Sequence, residues 1–328
     1  MAGGPSTPAL AAAVAEAGGL GFLAAGYKSV EAVRADIAEL RSLTERPFGV
    51  NLFAPPAPVP DRLAVERFAR ELRRAGLPVG ERRHDDDAWT DKLALVIDER
   101  VPVVSFTFGC PPSEVVGELQ RAGAAVWVTV TTAQEAVEAA QAGADAVVVQ
   151  GVEAGGHRAS FDDSAPGDIG LLALLQLVGA AVELPLIATG GIATGRGIAA
   201  VLAAGAAAAQ LGTAFMLTPE AATSAPHRAA LDGDAPTGLT RAFTGRTARG
   251  IVNDFMRRHS DGAPSAYPDV HHLTARLRAA ARERGDAESI NLWAGQAYPL
   301  AEELGAGDLV RRLAADARAA LEQAARRA

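Results

Sequence analysis

One cysteine, Cys110, stands among 328 residues. That excludes an internal disulfide and a cysteine-based zinc site. Lys28 and Lys92 are the only lysines, so arginine supplies nearly all of the 31 basic residues, a bias read as codon usage rather than function. Against 39 acidic residues the net charge is −8. A basic surface that tracks a nucleic-acid backbone is therefore not expected. Aromatic residues make up 5%, so the core must be built mostly from Ala, Val, Leu and Ile. No apolar run reaches the roughly 20 residues that span a bilayer. The first residues show no basic stretch followed by an apolar one, and the expectation is a cytoplasmic protein with no membrane partner. No Gly-x-Gly-x-x-Gly follows the first strand-like run, which weighs against a dinucleotide-binding doubly wound fold. A Gly-x-Ser-x-Gly nucleophile elbow is also missing. No His/Asp/Glu set has metal-ligand spacing, and the adjacent His271-His272 do not share a helix face. No metal is expected.

What is present is a large core-forming fraction, 49% hydrophobic against 21% charged. A junction recurs in which a helix-like stretch ends in Ala-Gly and an apolar run follows, at Gly18, Gly123, Gly143 and Gly205. Glycine suits a residue that leaves a helix in the left-handed conformation. Helix starts are marked by Thr7 before Pro8, by Thr132 with Glu135 as a capping box, and by Thr194. The apolar runs are Leu20–Ala25, Phe48–Phe53, Val101–Phe108, Ala125–Val130, Ala146–Gln150, Leu186–Thr189 and Ala207–Leu211. They are short and nearly continuous, as in parallel strands buried on both faces. Alternation with helices predicts an α/β fold, a (β/α)8 barrel in which seven strands are visible and the first is missing.

Two stretches depart from this rhythm. The proline-rich Ala54–Pro60 and a helical Arg62–Ala75 precede the charged run Glu81–Asp87, expected to be solvated. Residues 1–217 read as the barrel. Residues 218–328 read as a mostly helical extension packed on it, with amphipathic segments at Leu273–Arg284 and Leu309–Ala325.

In such barrels the site lies at the strand C-termini. Asn51 ends one strand, and Gln150 ends another ahead of a loop with Gly155, Gly156, His157 and Arg158. Gly190 and Gly191 follow the next strand, and Gln210, Leu211, Gly212 and Thr213 the last. Either glycine loop alone permits no more than a tight turn. As a pair after the last two strands they point to phosphate held by backbone N–H groups. The buried amides of Gln150 and Gln210 need partners, and a flat ring with alternating donors and acceptors supplies them. Phosphate plus such a ring suggests FMN. From spacing alone His157 is a loop histidine, exposed or functional. The other histidines (His84, His227, His259, His271 and His272) read as surface, and Cys110 as a small structural thiol.

These segments resemble the nitronate monooxygenase family of FMN-dependent barrel enzymes. The likeness runs through Met1–Thr7, Gly19–Tyr27, Phe48–Phe53, Val103–Gly109, Gln150–Arg158, Ala188–Ile192, Gln210–Phe215 and Leu292–Gln296, with Gly155-Gly156-His157-Arg158 the most diagnostic. The resemblance implies oxidation of alkyl nitronates, such as propionate 3-nitronate, by O2. It implies FMN contacts at Asn51, Gln150, Gly155, Gly191 and Gln210 through Thr213, with His157 over the flavin at the substrate. Arg158 is expected to sit at the rim. Two features depart from the family. Ala159 stands where glycine is usual, and no strand precedes Met1, as though an internal methionine had been taken for the initiator. A flavin-dependent enoyl-thioester reductase using NAD(P)H and a non-catalytic flavin-binding barrel remain as other readings; an oligomer is compatible with all of them.

Overall fold

The computed structural model describes residues 1–56, 58–59 and 61–327; part of the proline-rich stretch Ala54–Pro60 thus lies outside the described residues. Each apolar run forms a strand: β1 Gly21–Ala24, β2 Phe48–Phe53, β3 Val103–Thr107, β4 Ala125–Val130, β5 Ala146–Gln150, β7 Leu186–Thr189 and β8 Ala208–Gln210, with the short β6 Gly156–His157 between β5 and β7. The seven long runs pair in parallel, in the order β1-β2-β3-β4-β5-β7-β8. Helices cover the outer face. Inside, Phe22 of β1 meets Trp127 of β4 with ring centroids 5.5 Å apart. Side chains three strands apart touch only if the sheet curls strongly, as in a barrel. Gly49 makes room for that contact: a Cβ there would lie 2.2 Å from the Phe22 ring. Among the described residues no strand joins β8 to β1.

Local signals account for the element ends. Gly18, Gly123, Gly143 and Gly205 all leave their helices at φ between +90° and +97°. Thr7 and Thr194 cap helices at Pro8–Glu16 and Gly195–Ala203. Thr132 accepts from the Glu135 N–H at 3.1 Å. The Glu135 carboxylate does not close the box on Thr132. It accepts from the Thr131 N–H and hydroxyl and from the Phe161 N–H, tying down the loop after β6.

The extension is mostly helical and also carries strands. After residue 217 come β9 Thr237–Thr240 and β10 Ala248–Ile251, which build an antiparallel sheet with β6 in the order β6-β10-β9. Its helices Asp269–Glu283 and Ala306–Ala325 form where the amphipathic pattern placed them. The charged run is not simply solvated. Glu81 to His84 are exposed, but Asp87 accepts from the Tyr27 N–H at 3.0 Å and pairs at 2.8 Å with Lys92, which is 2% exposed. Asp85 meets His272 at 3.0 Å and His84 meets Asp269 at 2.9 Å, fastening the run to the helix Asp269–Glu283.

Candidate functional site

A cavity of about 610 Å³ opens at the C-terminal ends of the parallel strands, where barrel sites lie. Its volume is in the range of small-molecule and cofactor sites. Asn51, Gln150, Gly155, His157, Gly190, Gly191, Gln210, Leu211, Gly212 and Thr213 all line it. So do Met1, Ala2 and Gly3, with Met1 packed against Gly212.

The two glycine loops form a cradle of donors. Gly190 and Gly191 take φ of +120° and +66°, conformations that side-chain-bearing residues rarely adopt. A Cβ on Gly191 would also come within 2.9 Å of Glu153. Among the described residues, the backbone N–H groups from Gly190 to Ala193 and from Leu211 to Thr213 have no protein acceptor. Free N–H groups converging beside the start of the helix Gly195–Ala203 make an anion site without a basic side chain.

Gln150 and Gln210 end their strands, whereas Asn51, expected at a strand end, lies inside β2, and the three amides differ in their partners. Asn51 donates to the hydroxyls of Ser105 and Thr107, both at 2.9 Å. Gln150 finds partners within the protein at both ends: its Oε1 accepts from Arg158 and from the Ala159 N–H, and its Nε2 donates to the His157 carbonyl. The buried Oε1 of Gln210 has no partner, so this acceptor is left for a ligand. Arg158 is not at the rim. It is fully buried and donates to the carbonyls of Gln150 and Gly151 as well as to Oε1 of Gln150, locking the turn that carries His157. Ala159 is fully buried in the same turn.

His157 sits on β6, held by β10 through the Ala248 register. Its Nε2 lies 2.9 Å from the Thr244 hydroxyl, and that hydroxyl lies 3.2 Å from the Arg246 carbonyl. A carbonyl only accepts, so the network assigns the hydroxyl proton there and the ring's N–H to Nε2. Phe108 and Trp293 meet the ring edge-on, with centroids 5.5 and 5.6 Å away. Burial, reinforced by the charges of Arg246 and Arg278, pushes the imidazole down to about 3. His157 is neutral near pH 7.

Sequence reasoning missed several lining residues. His227 and His259 are buried, not on the surface. His227 lines the cavity and its Nε2 lies 3.0 Å from the Trp293 carbonyl; burial pushes it down to about 4. His271 also lines the cavity, stacked on Tyr27 at 4.2 Å, and burial with the Arg278 charge pushes it down to about 2. Tyr27 takes the unusual φ of +67°, fixed by the Asp87 carboxylate on its N–H. Phe108 has φ +80° and lies under the Arg246 guanidinium at 4.1 Å. A seven-residue spacing of His271 and Arg278 on one helix was the available signal. Cys110 lies outside the cavity lining, and burial pushes its thiol up to about 11, as for a structural thiol. Among the described residues no His/Cys/Asp/Glu group could hold a metal, and no helix is long and apolar enough to cross a membrane.

The family model for nitronate monooxygenase matches residues 1–316. A nitronate monooxygenase of Pseudomonas aeruginosa is 43% identical over 329 residues, covering 96% of this chain and 94% of its own. Among solved structures, nitroalkane oxidase from Streptomyces ansochromogenes superposes with a TM-score of 0.95 at 53% identity, covering 99% of this chain and 95% of that one. FabK from Thermotoga maritima superposes with a TM-score of 0.78 at 29% identity, covering 100% and 94%.

Proposed function

This chain belongs to the nitronate monooxygenase family of oxidoreductases, and from that premise we propose that it oxidises alkyl nitronates with O2, using one non-covalently held FMN per chain. The observation that carries the proposal is a single cavity joining a cradle of free backbone donors to a neutral histidine and to guanidinium groups that no carboxylate of the described residues pairs with. The residues present fit FMN. The N–H groups of Gly190, Gly191, Gly212 and Thr213 would hold its phosphate, and Asn51, Gln150, Gly155, Gln210 and Leu211 would border its ring, with Gln210 Oε1 an acceptor awaiting a donor. When bound, the flavin supplies the one-electron redox chemistry that couples the nitronate to O2. The protein's part is to bind and orient an anion. His157, neutral and fixed by Thr244, shapes the wall beside the anion without a charge of its own, while Arg246 and Arg278 lend positive potential to the site. Residues 1–217 are taken as the FMN-holding barrel. The extension, residues 218–328, brings Thr244, His271 and Trp293 to its mouth. The substrate is a small molecule, and the acidic net charge favours neither nucleic acid nor an anionic membrane as partner. We place the activity in the cytoplasm.

The 53% identity to a nitroalkane oxidase favours a second substrate form, the neutral nitroalkane. That form needs a general base whose pKa lies near the working pH, and His157 at about 3 is far below it. The nitronate is therefore the preferred form. The test is oxygen uptake by the purified, flavin-loaded protein with propionate 3-nitronate, with and without NADH. Uptake independent of NADH is expected. A protein without extractable FMN, or uptake that requires NADH, would overturn the proposal.

A further inference from the structure

The chain carries 39 acidic residues, yet none of them lines the cavity, whereas Arg278 and Arg282 do. The two arginines lie four apart on the helix Asp269–Glu283 and so share one face, a turn from each other. Arg278 is 6% exposed. Its Nε donates to the Thr274 hydroxyl at 3.1 Å and its Nη2 to the His271 carbonyl at 2.9 Å. Its Nη1 has no protein partner among the described residues. Arg282 is half-buried and gives one Nη2 bond to the Asn291 side-chain oxygen at 2.9 Å. No carboxylate of the described residues pairs with either. Two like charges a turn apart repel each other, and burial, with Arg282 adding to it, holds Arg278 down to about 10. The helix C-terminus favours a cation at Arg282, in the last turn, but not at Arg278. A buried cation without a counter-ion is costly, and a ligand anion supplies the missing charge.

We propose that Arg278 and Arg282 form a subsite that binds a carboxylate on the substrate, making them the residues that select nitronates bearing a second negative charge. The assignment rests on the nitronate reading above. A carboxylate can accept with one oxygen from each of the Nη1 groups left free on Arg278 and Arg282. The ridge belongs to the C-terminal extension, whereas the free N–H cradle belongs to the loops after β7 and β8, so the two anion sites stand on different parts of the chain.

The test uses the FMN-loaded enzyme and compares kcat/KM for propionate 3-nitronate and for propyl-1-nitronate, which lacks the carboxylate. In Arg282→Gln and in Arg278→Gln the ratio of the two is expected to fall about tenfold or more, mainly through KM, as for loss of a charge-assisted hydrogen bond. Arg282→Lys should restore part of it. Butyrate binding measured by calorimetry should weaken in step. Because Arg282 is the less buried, its variant decides the matter if Arg278→Gln does not fold. A ratio within twofold of the wild type in the Arg282→Gln protein would overturn the proposal. Loss of FMN from that variant would also overturn it, by assigning the ridge to the cofactor. Should the wild type turn over neither nitronate, the nitronate reading fails while butyrate binding still decides the subsite: weaker binding to Arg282→Gln supports it, and equal binding overturns it.

Discussion

Acid should destabilise this protein between pH 6.5 and 5 through three histidines. Burial holds His157, His227 and His271 neutral in the folded chain, pushing them down to about 3, 4 and 2 from an ordinary value of 6.5. As pH falls below 6.5 the unfolded chain takes up protons that the folded chain cannot. Stability is complete above 6.5 and is lost as pH falls toward the depressed values. Each group loses about 1.4 kcal/mol per pH unit over that range. At pH 5 the loss is about 2 kcal/mol per histidine and about 6 kcal/mol for the three, comparable to the whole margin of an ordinary domain. Urea unfolding at pH 7.5, 6 and 5, in a fixed excess of FMN, measures it. His227→Gln is the informative variant, because an amide can still donate to the Trp293 carbonyl but does not titrate. Its stability should fall about 2 kcal/mol less than the wild type's between pH 7.5 and 5. Equal falls in the two proteins, or a wild type whose stability does not change over this range, would refute the reasoning.

Gly212 has an ordinary φ and space for a Cβ, with Met1 Sδ 3.5 Å away. Gly212→Ala should therefore keep FMN, while Gly212→Asp, which sets a carboxylate beside the phosphate cradle, should be purified colourless and stay so when FMN is added; a fully yellow Gly212→Asp protein would remove the loop from the phosphate site. His157→Ala should retain FMN by absorbance yet lose kcat/KM about tenfold or more, as for loss of a ring that positions the substrate; unchanged turnover would remove His157 from the mechanism. NADH should not bleach the flavin under nitrogen, since no dinucleotide fingerprint is present. Rapid bleaching would favour the reductase.

The fold was largely legible because its signals are local. Seven continuous apolar runs, the Ala-Gly helix exits and the threonine caps depend on residues a few positions apart, and all formed as written. The resemblance and the strand-end glycines brought ten residues to the lining of one cavity for the same reason: strand C-termini converge in a parallel curled sheet whatever their separation in the chain. Partners across the fold were not legible. Whether Arg158 reached the rim or the interior depended on two carbonyls and one amide waiting beneath it. His227 and His271 read as surface because their segments look polar, and only packing against the barrel mouth buried His227 and half-buried His271. Glu135 carries the spacing of a capping box but faces Thr131 and Phe161. β10 gained its place by pairing with β6, a contact about 90 residues distant that no local pattern encodes, and β9 lies on its other edge. The sequence by itself determined the strands, the turns and the glycine loops, since sterics and short-range hydrogen bonds fix them. Only the tertiary structure decided which charges lost their solvent and their counter-ions, because desolvation is a property of the surroundings and not of the residue.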